Sequence, residues 1–333
     1  MAKVRWGLLS TANINNQLIP IIRNSPRGEL VAVGSRSEKS AKAYATQWGI
    51  PLHFGSYAAM LESGSIDAVY ISLPNHLHAT WSISALQAGV HVLCEKPFAL
   101  TLGEVDAVIS ASQKYHKVAA EAFMYRHHPQ TKIVGDMVQS GKLGEVLLFR
   151  GDFSFQIKPV NGIRLVPEYG GGALWDIGVY PVSFAQYIFG RIPDWACATQ
   201  VIGGESGVDE TFSGLMHYGE GKSALISCSF RSPYYNQAEV IGTQGRLVLT
   251  RPFNHYESGR HLFFYPDTGD PYEVSVPEEE LYSGEVEEMH DVILEGKKPY
   301  LTLDETRDHI KTVLALYESA QKGSIVSLYT SRL

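Results

Sequence analysis

The chain has 333 residues, 44% of them hydrophobic and 19% charged, with a formal net charge of −7. This is ordinary globular composition with length for two domains, and the lack of any basic run longer than a pair speaks against nucleic acid or an anionic membrane as partner. Three widely spaced cysteines (Cys94, Cys197, Cys228) form no C-x-x-C pattern, and neither a signal-peptide segment nor a run of roughly eighteen apolar residues occurs, so a soluble cytoplasmic protein with buried thiols is expected.

Residues 1–122 alternate two periods. Short β-rich runs fall at Lys3–Leu9, Leu30–Gly34, Ala68–Ser72, Val90–Cys94 and Val118–Ala122, with helix-like segments at Asn13–Arg23, Glu38–Trp48, His76–Ala88 and Leu102–Tyr115. Continuous apolar strands separated by amphipathic helices predict a doubly wound parallel sheet covered on both faces, the Rossmann arrangement of an α/β domain.

The first strand runs into Gly7-Leu8-Leu9-Ser10-Thr11-Ala12-Asn13-Ile14, where only Gly7 is glycine and Ser10 and Ala12 take the next small-residue positions. Small side chains let backbone approach a pyrophosphate, and the following helix offers its first N–H groups to the anion. The same loop also suits a tight β–α turn that holds no ligand. The second strand ends in Ser35-Arg36-Ser37. No carboxylate is there to accept from ribose hydroxyls, whereas two hydroxyls and a guanidinium suit a 2′-phosphate, so NADP is expected ahead of NAD. At 91–100, "HVLCEKPFAL", a buried strand ends on Glu95 and Lys96 with Pro97 behind them, an arrangement that suits a lysine required to point at something.

Beyond Met124 the rhythm changes. Helical stretches near Gln130–Ser140 and Leu174–Phe189 flank the turn Gly170-Gly171-Gly172. Alternating segments follow at Glu145–Phe153, Thr211–Tyr218, Ser223–Phe230, Gln237–Gly242, Arg246–Thr250 and His261–Tyr265. They predict an α+β domain with an open, largely antiparallel sheet. Gly284–Glu295 and Thr302–Lys322 read as helices, the second opened by Asp304 and closed by Gly323. The expected division is a nucleotide-binding domain at 1–122 and a substrate-binding and oligomerisation domain at 123–333, whose last helix packs back on the first. His76 and His78 have no carboxylate or cysteine at ligand spacing, so no metal is expected.

The stretches "PNHLH" at 74–78, "CEKP" at 94–97 and "GGGALWDIGVYP" at 170–181, with the glycine-poor loop after the first strand, carry a recognisable pattern. "EVIGTQGRL" at 239–247 and "DVILEGKKPYLTLDETRDHI" at 291–310 extend it. By these the chain resembles the Gfo/Idh/MocA family of sugar oxidoreductases over essentially its whole length. The resemblance implies an NAD(P)-binding Rossmann domain and Lys96 as the catalytic lysine. It places Leu73, Pro74, Asn75 and His78 along the nicotinamide, with Glu95 nearby. Asp176 opens the D-x-G-x-[HY] motif and Tyr180 ends it, and both are implied at the substrate. Tyrosine rather than histidine at that last position implies the subgroup that contains NADP-dependent xylose dehydrogenase, dimeric dihydrodiol dehydrogenase and ketosugar reductases. Tyr125 and Arg126, in "MYRHHP", are candidate substrate contacts or simply hinge packing.

Hydride transfer at a carbinol needs one group to exchange the hydroxyl proton and one to stabilise oxyanion charge. A phenol is a poor base at its ordinary pKa of about 10, but a nearby ammonium favours the phenolate. The expected activity is therefore oxidation or reduction of a sugar, ketosugar or cyclic polyol through a Lys96/Tyr180 acid–base pair. A non-catalytic NAD(P) sensor and a trans-dihydrodiol dehydrogenase are the alternatives. An open sheet with one uncovered face predicts a homodimer or a dimer of dimers.

Overall fold

The computed structural model describes residues 2–157, 162–254 and 259–329. The chain forms two compact units, Met1–His127 with Glu280–Arg307 and His128–Glu279 with Asp308–Leu333. The sequence boundary after residue 122 had grouped 280–307 with the second domain; in the structure these residues belong with the first unit.

In the first unit the strands are β1 (Val4–Leu9), β2 (Gly28–Gly34), β3 (Leu52–Phe54), β4 (Ala68–Ile71), β5 (His91–Glu95) and β6 (Ala119–Ala122). Their order is β3-β2-β1-β4-β5-β6 and every pair is parallel. This is the doubly wound dinucleotide order, and it reverses between β1 and β4, the switch point where such sheets bind ligands. All of β4 is buried, as expected for a strand covered on both faces. The helices Glu38–Trp48 and Leu102–Tyr115 have the expected bounds because their ends carry local signals. Ser37 caps the first and left-handed Gly49 closes it, while Thr101 and Glu104 form a capping box on the second. Where one helix was expected over His76–Ala88, a 3₁₀ turn Asn75–Leu77 leads into the α-helix His78–Gln87.

Residues 280–307 attach to this unit through polar groups. The Trp6 indole donates to His290 Nε2 at 3.0 Å inside the core. Arg27 pairs with Glu287, Asp291 and Glu295 along the helix Ser283–Glu295.

The second unit contains β7 (Val146–Ser154), β8 (Trp195–Ile202), β9 (Asp209–His217), β10 (Ser223–Ser229), β11 (Tyr235–Gly242), β12 (Gly245–Thr250), β13 (Leu262–Pro266), β14 (Tyr272–Glu273) and β15 (Val326–Ser327). They form one sheet in the order β14-β13-β12-β11-β7-β10-β9-β8-β15. All pairs are antiparallel except β7–β10, which is parallel. The chain leaves β7 through the helix Val179–Phe189, re-enters at β8, and reverses twice to reach β10, so β10 arrives in the direction of β7.

One face of this sheet carries that helix. Phe149 meets Phe184 at 5.4 Å between ring centroids, and a Cβ at Gly151 would lie 2.6 Å from Pro181 Cβ, so only glycine admits the helix this close. The opposite face holds the ion-paired row Arg150–Glu239–Arg246 and leaves Leu225 and Tyr235 exposed. Cys94 and Cys228 are buried free thiols, whereas Cys197 is only partly buried.

Candidate active site

At the switch point the loop after β1 is held to the loop after β4. Ser10 Oγ lies 3.0 Å from the Ser72 carbonyl and 2.8 Å from Ser72 Oγ. The Asn15 amide donates to the Ser10 carbonyl at 3.0 Å and its oxygen accepts from Ser72 Oγ at 2.7 Å. Ser10 adopts φ +137°, a conformation that favours glycine, and its side chain is held there by these bonds. It thus occupies a fingerprint-glycine position with glycine-like backbone.

Gly7 has a different role. A Cβ there would lie 2.9 Å from Ile66 Cδ1, so its missing side chain serves packing against Ile66. Among the described residues the backbone N–H groups of Thr11, Asn13 and Ile14 have no hydrogen-bond acceptor, and they open the helix Asn15–Asn24, whose first turn lacks any acid. Exposed N–H groups at a helix start, beside a switch point, fit a pyrophosphate.

At the end of β2 the Ser35 N–H donates to the Phe54 carbonyl at 3.0 Å. Ser37 is engaged as a cap, accepting from the Ser40 N–H at 3.2 Å. Arg36 is exposed and has no ion pair among the described residues. A solvent-facing guanidinium at this position fits a 2′-phosphate.

The turn after β5 is tied on three sides. The buried Tyr70 hydroxyl donates to Glu95 Oε1. The Pro97 carbonyl faces His78 Nδ1 at 2.8 Å, and the Phe98 N–H donates to Glu121 Oε1 at 3.0 Å. His78 Nε2 in turn faces the Leu73 carbonyl at 2.7 Å. Lys96 sits among these ties, partly exposed, ahead of a cis peptide bond to Pro97.

His78 is fully buried, and burial holds its pKa below the ordinary histidine value against the pull of the two carbonyls. Its ring joins the ends of two strand loops and presents no face to a ligand.

Two acids of this unit were not foreseen. Glu121 lies on β6, and burial pushes its carboxyl up to about 8 although Phe98 N–H and the Thr306 hydroxyl pull it down. A single acid inside the apolar run Val118–Ala122 was the available signal. Glu285 is buried with neither carboxyl oxygen hydrogen-bonded among the described residues; burial, then Glu95 and Glu288, raise it well above the carboxylate range. Nothing local in "SGEVEEMH" distinguishes it from the acids around it.

In the second unit, Asp209 organises the start of the Asp176–Tyr180 segment. It accepts from the Leu174 N–H at 2.7 Å and from the Tyr317 hydroxyl at 2.8 Å, and burial raises its carboxyl to about 6. Residues Leu174–Gly178 form one π-helical turn ahead of the α-helix Val179–Phe189, a local widening that recurs at functional sites. Asp176 pairs with Arg164 Nε at 2.6 Å. The His309 ring meets the Val179 carbonyl at 3.0 Å, and the Tyr180 ring packs 5.8 Å from both Phe153 and Phe253. Of the other candidates, Tyr125 is buried edge-on to Phe123, and buried Arg126 pairs with Glu305 at 2.7 Å in the first unit.

One testable consequence concerns Glu121. Its raised pKa means that the folded state keeps a proton the unfolded chain releases, so stability is fully present below the unfolded value and is lost as pH rises through about 8. Glu121→Gln cannot titrate. The melting temperature of that variant minus that of the parent should therefore grow between about pH 5 and pH 8 and level off above. A difference that stays constant over this range would show Glu121 to be already ionised.

Comparisons with known proteins agree with this geometry. Residues 4–123 match the model for an oxidoreductase family with an NAD-binding Rossmann fold, and residues 131–248 match the Gfo/Idh/MocA C-terminal domain. The chain is 36% identical over 325 residues to the D-xylose 1-dehydrogenase (NADP(+)) 2 of Haloferax volcanii, covering 97% of this chain and 99% of that one. It is 30% identical over 320 residues to the trans-1,2-dihydrobenzene-1,2-diol dehydrogenase of Xenopus laevis, covering 93% and 96%. A crystal structure of a 3-ketoreductase from Actinomadura kijaniata, in complex with NADP and TDP-benzene, superposes with a TM-score of 0.89 at 28% identity, covering 95% of this chain and 98% of that one.

Proposed function

The chain belongs to the Gfo/Idh/MocA family of oxidoreductases, and from that premise we propose that it is an NADP-preferring dehydrogenase or reductase acting on a CH–OH group of a sugar, ketosugar or related cyclic polyol. The observation that carries this reading is the cradle at the switch point: the Ser10–Ser72 tie, the open N–H groups of Thr11, Asn13 and Ile14, and Arg36 at the end of β2. NADP in the ketoreductase complex and in the name of the Haloferax relative supports the cofactor.

In this reading Gly7–Ile14 and Ser35–Ser37 hold the cofactor's phosphates and ribose, and Leu73–Asn75 with Glu95 border its nicotinamide. A bound nicotinamide supplies or accepts the hydride. Tyr180 exchanges the proton of the substrate hydroxyl, and the Lys96 ammonium stabilises the oxygen's developing charge. Asp176 orients the substrate with Tyr180. The ion pair with Glu305 favours a structural role for Arg126 and its neighbour Tyr125.

The test is absorbance at the nicotinamide band with NADP, NADPH, NAD and NADH against aldoses, ketosugars and a trans-dihydrodiol. The dihydrodiol is included because of the Xenopus relative. Tight cofactor binding with no turnover of any compound would favour a cofactor sensor.

Cofactor choice has its own test. Arg36→Asp replaces a phosphate partner by a repelling charge, and each charge-assisted hydrogen bond lost is worth about 1.5–3 kcal/mol. NADP affinity should fall about tenfold or more relative to NAD. Equal loss for both cofactors would show that Arg36 does not read the 2′-phosphate.

We further propose that the sheet face bearing Leu225 and Tyr235 packs against a second copy of the chain, giving a homodimer or a dimer of dimers. Sedimentation at micromolar concentration should show a species of at least twice the chain mass, and a monomer there removes this assembly.

A further inference from the structure

Lys96 follows the last residue of β5, where a lysine side chain has many accessible rotamers and its backbone is not part of the sheet. Where its Cα stands is set by the neighbouring backbone. Of the three ties on residues 95–98, one joins the turn to the adjacent strand and to a distant helix together. Glu121 accepts the Phe98 N–H at 3.0 Å with one oxygen and the Thr306 hydroxyl at 3.0 Å with the other. Glu121 is 2% exposed, and it lies across from Cys94 in the β5–β6 register. The groups that face it are Cys94 from β5, Thr306 and Glu305 from the helix Leu303–Lys322, and Arg126. An acid kept in such surroundings is costly, and an apolar side chain would fill the same strand position more cheaply. What an apolar side chain could not do is hold the Phe98 N–H.

We propose that Glu121 is a positioning residue for Lys96, acting through the backbone of the turn that carries the lysine. The proposal rests on the role given to Lys96 above, and it assigns the acid in "EAFM" a function in the reaction rather than in folding alone. Glutamine offers the same two-pronged reach, with its carbonyl to Phe98 and its amide to the Thr306 hydroxyl oxygen. Leucine fills the volume and removes the contact.

The experiment compares Glu121→Gln, Glu121→Leu and Glu121→Leu combined with Lys96→Met. It uses NADP or NADPH with the compound that turns over fastest in the panel, and hydrogen exchange of the Phe98 amide as a second readout. Glu121→Leu should lower kcat at least tenfold, leave the KM for the cofactor within about threefold, and speed Phe98 exchange at least tenfold, while Glu121→Gln restores all three toward the parent. In the Lys96→Met background, Glu121→Leu should cost little more, because its effect is exerted through that lysine. The same factor lost in both backgrounds, or an unchanged kcat in Glu121→Leu, overturns the proposal. Should Glu121→Leu fail to fold, Glu121→Asp keeps the acid and shortens its reach, and it must show the same paired loss of kcat and Phe98 protection. Parental turnover in Lys96→Met alone would sink the role given to Lys96; accelerated Phe98 exchange in Glu121→Leu would then still establish the contact, so the two failures are told apart.

Discussion

Tyr180→Phe should turn over substrate about 10²–10⁴-fold more slowly than the parent while binding NADP almost as well, since general acid–base groups contribute about that much. The substitution removes one oxygen and leaves the ring that packs against Phe153 and Phe253, so the fold around it is retained. Lys96→Met keeps most of the stem and removes the charge, and it should cost a comparable factor by stripping stabilisation from the substrate oxygen. If the two residues act as a unit, the double variant should be little worse than the poorer single one. Steady-state kinetics with a cofactor titration separates these effects from lost binding. Near-parental turnover in Tyr180→Phe would move the proton role to Lys96, and near-parental turnover in both single variants would end the acid–base assignment.

Gly172→Ala should be among the most destabilising single changes in the second unit, by roughly 3 kcal/mol or more. Two independent costs meet there. The residue has φ +128°, which L side chains rarely adopt, and an added Cβ would lie 2.1 Å from Asp209 Oδ1 and 3.0 Å from the Tyr317 hydroxyl. Asp209 cannot retreat without loosening its bonds to the Leu174 N–H and Tyr317, which set the entry into the segment bearing Asp176 and Tyr180. Gly190 is a fitting control. It is also left-handed, at φ +66°, but nothing lies within 4 Å of its Cβ position, so Gly190→Ala should cost only about 1 kcal/mol. Urea unfolding of both variants makes the comparison. Equal losses would mean that the Asp209 contact contributes nothing, and that only backbone strain matters at Gly172.

The contrast between these two glycines shows where sequence reasoning stops. "GGG" at 170–172 marks a turn, yet which glycine is indispensable depends on Asp209, thirty-odd residues away at the start of β9. Local chemistry was legible wherever the interacting groups are near in the chain. Ser37, Gly49, Thr101 and Glu104 delimit their helices through bonds to residues three or four positions off, so Glu38–Trp48 and Leu102–Tyr115 were read to the residue. The doubly wound order of the first unit followed from apolar runs alternating with amphipathic segments, because strands buried on both faces are near-continuously apolar. Two partly exposed strands escaped for the converse reason. Leu52–Phe54 and Trp195–Ile202 are largely or partly exposed, and partial exposure removes the apolar run that would announce them.

The candidate site divides in the same way. Lys96, Asp176, Tyr180 and Arg36 stand in short motifs, so they could be picked out from the sequence as candidates. Their surroundings could not. Glu121 reaches Thr306 across 185 positions and Arg126 reaches Glu305 across 179, and no local pattern encodes a partner at that distance. His78 reads in sequence as a histidine beside a cofactor motif; only the fold, by burying it between the Leu73 and Pro97 carbonyls, makes it a tie between two loops. Burial is the physical reason for the difference. It is a property of the folded neighbourhood, and it separates a half-buried, ion-paired acid like Glu287, whose pKa is lowered, from Glu121 and Glu285, whose carboxyls burial pushes up.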